Sequence, residues 1–317
     1  MSDKSNNQGR AFEYVFVNVL KEEIEKKRSV EIEKNSSYLA AENAWNSIGP
    51  SMQDTLRKGA IASCNKLFEA EVLLTEDGGK PISLKLQPDK AGEEGDVRDV
   101  LAIRGDMDWE IGFSLKHNHF AVKHSRLSKN LDFGKSWYDI PCSKEYWDGI
   151  SPIFDSLSSF KEDKKLWRDI PDKAKTIYVP LLDEFAAELT RVNEKDSDLP
   201  KKMVEYLLGK FDFYKVVSKD NERKTEVQAY NMHGDLNKEG LHSGPLIEIP
   251  LTELPTRIIH IGIIPGSDNT VEMVLDKGWS FTFRIHNAST MVETSLKFDI
   301  QLIGMPTSVI TINCPWD

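Results

Sequence analysis

Two β-prone runs flank the turn Gly105-Asp106-Met107-Asp108 within residues 95–119, GDVRDVLAIRGDMDWEIGFSLKHNH. A short turn between such runs closes an antiparallel hairpin, and its register decides which side chains meet. If Arg104 pairs with Trp109, Asp99 falls directly opposite Ser114, and opposed residues share a face of the sheet. Period-two alternation then gathers Glu110, Gly112, Ser114 and Lys116 on that face and turns Ile111, Phe113 and Leu115 to the other. The apolar face calls for helices packed against it. The polar face brings together a carboxylate, a hydroxyl and an amine, with Gly112 leaving room for a backbone to approach.

These groups suit phosphodiester hydrolysis. Asp99 can hold a divalent cation that polarises a phosphate, and Lys116 can orient the attacking water and offset the charge of the transition state. The tripeptide Ser-Leu-Lys carries no signal by itself, since it recurs at 83–85, 114–116 and 295–297. The middle copy alone has an acidic partner in the register derived above. An ordinary hairpin with polar residues facing water shows the same pattern, so the chemistry stays open at this level.

The rest of the chain reads as helices first and strands last. Ala11, Phe12, Val15, Val19 and Leu20 fall at helical spacing, and charged residues to Lys27 continue that helix. Residues 36–46 and 52–73 predict two more helices, the first behind capping residues at 35–37 and the second behind Gly49-Pro50. Strands are expected at 82–86, 97–104 and 109–117, helix again over about 143–210, and six strands from Phe211 onward. This is an α/β composition with a boundary near residue 210, dividing 1–210 from the β-rich 211–317.

Composition narrows the function classes. With 41 Lys and Arg against 51 Asp and Glu the formal charge is −10, which argues against nonspecific coating of nucleic acid. The charges are segregated, however. Residues 112–129 hold lysine, arginine and histidine without a carboxylate, whereas Asp89, Glu93, Glu94, Asp96, Asp99, Asp106, Asp108 and Glu110 lie just upstream. A cation site beside a phosphate track fits that segregation, as do two solvated loops of opposite sign. Cys64, Cys142 and Cys314 are scattered, which predicts buried thiols in a reducing compartment. No uncharged apolar run approaches the length of a membrane helix, and the N-terminus lacks the apolar core of a signal peptide.

Asp99, Ser114 and Lys116 resemble the PD-(D/E)xK nuclease core, with Ser114 standing where that superfamily carries Glu or Asp. The resemblance implies a mixed sheet flanked by helices, with the β-rich C-terminal region completing the sheet and recognising DNA. Ser114 removes one expected metal ligand, and Glu110 lies about 13 Å along an extended strand, too far for simple replacement. Superfamily members often supply a glutamate from the first helix, which implies Glu13, with Glu110 the lesser choice and the Leu115 carbonyl a further donor. Asp96 is expected to shape the start of the strand.

A closer resemblance runs through NNQGRAFEY, GDVRDVLAIR, WEIGFSLKHNH and FRIHNASTMVETSLKFDIQLIGMP. These stretches resemble the HaeIII-type family of type II restriction endonucleases. The resemblance implies Mg²⁺-dependent cleavage of double-stranded DNA at a short palindrome, with GGCC the expected site. It also implies a prokaryotic cytoplasm, a partner methyltransferase that protects the host, and an enzyme able to act as a homodimer. DNA contacts are expected from His117, Asn118 and His119 and from Lys123, His124, Arg126 and Lys129, with a basic surface loop as the alternative, while Arg284, His286 and Asn287 at a strand exit either read bases or simply end the strand. The string His117-Asn118-His119 is not read as an HNH nuclease, whose site is distributed around a ββα unit. A repair or recombination nuclease on the same core, and a DNA-binding protein whose nuclease site was lost at Ser114, are the alternatives.

Overall fold

The computed structural model describes residues 2–93, 95–118 and 121–317. From the N-terminus run α1 (Ser2–Glu25), β1 (Val30–Glu33), α2 (Ser36–Ser47), α3 (Pro50–Ala70), β2 (Ile82–Leu86), α4 (Asp89–Glu93), β3 (Val100–Arg104) and β4 (Trp109–His117). Then come β5 (Ala121–Ser128), α5 (Phe133–Tyr138), α6 (Lys144–Glu162), α7 (Val179–Asn193) and α8 (Leu199–Leu208). The remainder holds β6 (Phe213–Lys219), β7 (Lys224–Tyr230), β8 (Ile258–Ile263), β9 (Thr270–Leu275), β10 (Ser280–His286), β11 (Ser295–Gly304) and β12 (Thr311–Pro315).

Two compact units result, one of Met1–His119, Gly209–Glu253 and Thr307–Asp317, the other of Phe120–Leu208 and Leu254–Pro306. The chain passes between them near residue 210 and at three further points, so the β-rich stretch 211–317 supplies strands to both.

The first unit carries a seven-stranded sheet in the order β1-β2-β3-β4-β6-β7-β12. It is mixed, with β1 parallel to β2 and β4 parallel to β6, and the other pairs antiparallel. Helix α1 buries Ala11, Phe12, Val15, Val19 and Leu20, the residues whose spacing predicted it, and Phe16 besides. Phe16 meets Phe113 at 5.2 Å between ring centroids, and Phe113 stacks on Tyr214 at 6.2 Å. The apolar face of β4 is therefore the face covered by helix. Asn35 caps α2 by accepting from the Tyr38 N–H.

The second unit carries a five-stranded antiparallel sheet, β5-β11-β10-β9-β8. Its buried side is aromatic: Phe185 of α7 lies 5.3 Å from Phe283 and 5.1 Å from Phe298.

Three strands were not expected from sequence. β1 has four residues, β12 ends on Pro315, and β5 alternates Lys123, Ser125 and Leu127 against His124 and Arg126, so its charges hide a strand that read as a basic loop. The strand expected over 97–104 begins at Val100, because Asp96 accepts from the Arg98 N–H and guanidinium and curls the chain there. Among the described residues no helix is long and apolar enough to cross a membrane, and all three cysteines are free and buried.

Phe16→Ala is expected to cost about 3–5 kcal/mol, the range for deleting a buried aromatic ring. Urea denaturation of the two proteins measures it, and a loss below about 1 kcal/mol would show that α1 does not support β4 through this ring.

Candidate active site

β3 and β4 pair with Arg104 against Trp109 and Val100 against Phe113, the register that sets Asp99 opposite Ser114. The pairing reaches one residue past β3, because the Asp99 N–H donates to the Phe113 carbonyl at 2.8 Å. On the other side the Gln87 N–H donates to the Asp99 carbonyl at 2.9 Å. With its backbone held from both sides, Asp99 directs its carboxylate at β4. Oδ2 accepts from the Leu115 N–H at 2.6 Å, from Lys116 Nζ at 3.1 Å and, in a longer and weaker contact, from Ser114 Oγ at 3.4 Å. Oδ1 takes no hydrogen bond from the described residues. The Asp99 and Lys116 side chains are 26% and 25% exposed, so the pair stands at an open edge.

Glu13, on α1, lies near enough for the charges of Asp99 and Lys116 to act on its carboxyl. Burial pushes its carboxyl up to about 8, the Asp99 charge pushes the same way, and Lys116 and Arg10 oppose. Two carboxylates sharing a site disfavour each other's charge, and a cation relieves both. The donors fit Mg²⁺, which takes one or two carboxylates and completes its shell with water and phosphate oxygens. The Leu115 carbonyl adds a backbone oxygen on the same strand. Among the described residues no three His, Cys, Asp or Glu cluster as a metal cage, which a hard cation shared with substrate does not require.

Glu110 is engaged elsewhere. Arg98 holds it at 2.8 Å and holds Asp96 at 2.8 Å, while the Phe211 ring lies 4.2 Å from the guanidinium. The space above Gly112 is filled by this arginine: a Cβ there would meet Arg98 Cδ at 2.0 Å and its Cβ at 2.8 Å. Gly112 therefore admits a side chain of its own unit, which corrects the expectation of an approaching backbone. The Ser-Leu-Lys at 83–85 also has an acid in register that sequence did not place, since Glu33 pairs with Lys85 on β1 and β2.

The residues expected to meet DNA fall into separate settings. His117 is buried and bonds Asp220 at 2.8 Å, and Asn118, at φ 50°, donates its N–H to Ser218 and accepts from the Asp220 N–H. Both tie the end of β4 to the end of β6 instead of projecting away. His119 lies outside the described residues. In the second unit Lys123 points to the buried side, donating to the Tyr206 carbonyl at 2.9 Å over the Tyr206 ring. Lys129 pairs with Asp155. Asn287 spends its amide on Ser289, Met291 and Glu293 and so braces its own loop.

His124, Arg126, Arg284 and His286 share one face of the five-stranded sheet with Lys297 and Asp299. The Asp299 carboxylate lies within 3.5 Å of His124, Arg284, His286 and Lys297. Burial pushes its pKa up, and the surrounding cations outweigh that and hold it below the ordinary range.

Sequence reasoning missed Arg98 and Lys215. Arg98 sits one residue before Asp99. Lys215 is the lone charge in Phe213-Tyr214-Lys215-Val216-Val217, and a lysine inside a buried apolar run was the available signal.

Comparison with known proteins gives two concordant matches. The sequence model of the HaeIII restriction endonuclease family matches residues 9–306. The type II restriction enzyme HaeIII of Haemophilus aegyptius is 49% identical over 318 residues, covering 100% of both chains. No solved structure matches the chain.

Glu13 makes the metal-free fold sensitive to pH. In the unfolded chain it ionises near 4.5, whereas in the fold it keeps its proton to about 8. The folded state thus binds the extra proton between these values. The associated stability is full below about 4.5 and is lost as pH rises through about 8. In EDTA the urea midpoint of Glu13→Gln is expected to fall less than that of the parent chain over this range. Parallel profiles would show that Glu13 is not buried beside Asp99.

Proposed function

The chain belongs to the HaeIII restriction endonuclease family and is a type II restriction endonuclease, and from that premise we propose that Asp99, Glu13 and Lys116 cleave double-stranded DNA at GGCC with Mg²⁺. The convergence of Ser114, Leu115 and Lys116 on Asp99 Oδ2 carries the assignment. In hydrolysis a water oxygen bonds to phosphorus while the bond to the leaving sugar oxygen breaks. Asp99, Glu13 and the Leu115 carbonyl would hold Mg²⁺, which would supply Lewis-acid polarisation of the phosphate when bound. Lys116 orients the attacking water and offsets the charge that builds on the phosphoryl oxygens. Its ammonium lies 3.1 Å from Asp99 Oδ2, beside the carboxylate that would hold the cation. Ser114 steadies Asp99 through a neutral hydroxyl, and Glu110 acts indirectly by holding Arg98.

His124, Arg126, Arg284 and His286 meet the duplex, since arginine and histidine on an open sheet face can reach phosphates and guanine edges. Lys123, Lys129 and Asn287 support them by ordering the second unit, and His117 and Asn118 fix the end of the active strand. A palindromic site suits a homodimer whose copies each cut one strand. The reading places the enzyme in the cytoplasm, where free buried cysteines persist, beside a methyltransferase that modifies the same sequence.

Plasmid digested with Mg²⁺ is expected to give discrete fragments ending at GGCC, and EDTA is expected to leave it intact. Smearing, or ends at another sequence, would remove the assigned specificity. Asp99→Ala and Lys116→Ala are each expected to slow cleavage about a hundredfold or more with circular dichroism unchanged. Near-normal rates in either variant would sink its role. Glu13→Gln is expected to be slower than Glu110→Gln, and the reverse order would transfer the second ligand to Glu110.

A further inference from the structure

Lys215 stands beside Ser114 in the parallel register of β4 and β6, and Val217 stands beside Lys116. Neighbours in register share a face, so Lys215 joins Ser114 and Lys116 about 4.8 Å across the sheet. The strand order β3-β4-β6 puts it on the side of β4 remote from Asp99. Lys215 is 7% exposed, yet it has no hydrogen-bond or ion-pair partner among the described residues. The next strand offers no acid to it. Gln228 lies in register with Lys215 and accepts from the Tyr230 hydroxyl. Glu226, beside Val217, is held by Lys219 at 2.6 Å and by Lys224 at 3.0 Å. Burial and the nearby Lys116 charge together bring the Lys215 ammonium down to about 8.

A lysine side chain that is largely buried, with no counterion for its ammonium, costs stability that a methionine of similar length would not. An anion that arrives with substrate offsets that cost. We propose that Lys215 is a phosphate-binding residue, taking a backbone phosphate of the DNA strand on the Ser114 side of the site. Two strand spacings, about 9.6 Å, separate its strand from that of Asp99. It therefore holds the DNA strand beside the reacting phosphate, while Lys116, between the two, serves the reaction. Its flexible four-carbon stem lets the ammonium swing toward the open edge marked by Lys116. Such a contact fixes the register of the duplex without reading bases. The assignment rests on Asp99 and Lys116 forming the reacting face.

Binding of short duplexes, with Ca²⁺ in place of Mg²⁺ and over a range of salt, tests it. Loss of one phosphate contact lowers the slope of log affinity against log salt by about 0.9. Lys215→Met is expected to show that loss on duplexes with and without GGCC alike, and Lys215→Arg is expected to keep the slope. Because it removes a charge that has no counterion and keeps the apolar stem, Lys215→Met is also expected to melt at or above the parent temperature. An unchanged slope in folded Lys215→Met overturns the proposal. A lower melting temperature overturns it too, since the ammonium would then be held by the protein itself. Cleavage by Asp99→Ala reports separately whether the reacting face is misplaced.

Discussion

Asp99 Oδ2 meets Ser114, Leu115 and Lys116 because β3 and β4 keep one register. A slip of one residue would turn every side chain of β4 to the opposite face, burying Lys116 and exposing Phe113. Packing prevents the slip. Ile111, Phe113 and Leu115 are buried, each contributing about 1.5–3 kcal/mol in that position relative to exposure. The chemistry on one face of the strand is thus placed by hydrophobic burial on the other. Residues that never approach a phosphate, such as Phe16 and Tyr214, decide where Lys116 points.

Arg98 completes this placement at the start of the strand. A buried arginine between two carboxylates adds little net stability, because desolvation offsets attraction. Its effect is positional. It occupies the space that Gly112 leaves, fixes residues 96–98 ahead of Asp99, and engages the carboxylate of Glu110. The acidic run upstream of the hairpin is divided in the same manner. Asp96 and Glu110 go to Arg98, Asp106 to Arg104 and Asp89 to Arg10. Asp99 is left with a lysine that can move and an oxygen without a hydrogen bond.

What was legible in the sequence was local or periodic. The hairpin register followed from a turn and two alternating runs, and α1 followed from its apolar spacing. β5 did not, because its outward residues are charged, and alternation is a weak signal when only one side is apolar. The units were hidden for a different reason: β8 to β11 lie with 120–208, while β6, β7 and β12 join the N-terminal sheet. Such long-range pairing leaves no mark in composition. Lys215 was missed because its partner position on β4 depends on a parallel crossover between strands about a hundred residues apart, which no turn announces.

Counting charge at the site explains why Ser114 is tolerable where an acid would be expected. Asp99 and Glu13 supply two carboxylates, and Lys116 and Lys215 supply two amines on or beside the same strand. Burial and the Asp99 charge both raise the Glu13 carboxyl, so two acids already disfavour each other's charge there. A third carboxylate at position 114 would stand between Asp99 on one side and Lys215 on the other, in reach of pairing with that lysine. It would raise repulsion among the carboxylates while neutralising the Lys215 amine. The hydroxyl avoids both effects and keeps a weak hold on Asp99. A glutamate delivered from the helix and a serine on the strand thus form one arrangement, in which the second acid stands near Asp99 and Lys116 and not between Asp99 and Lys215.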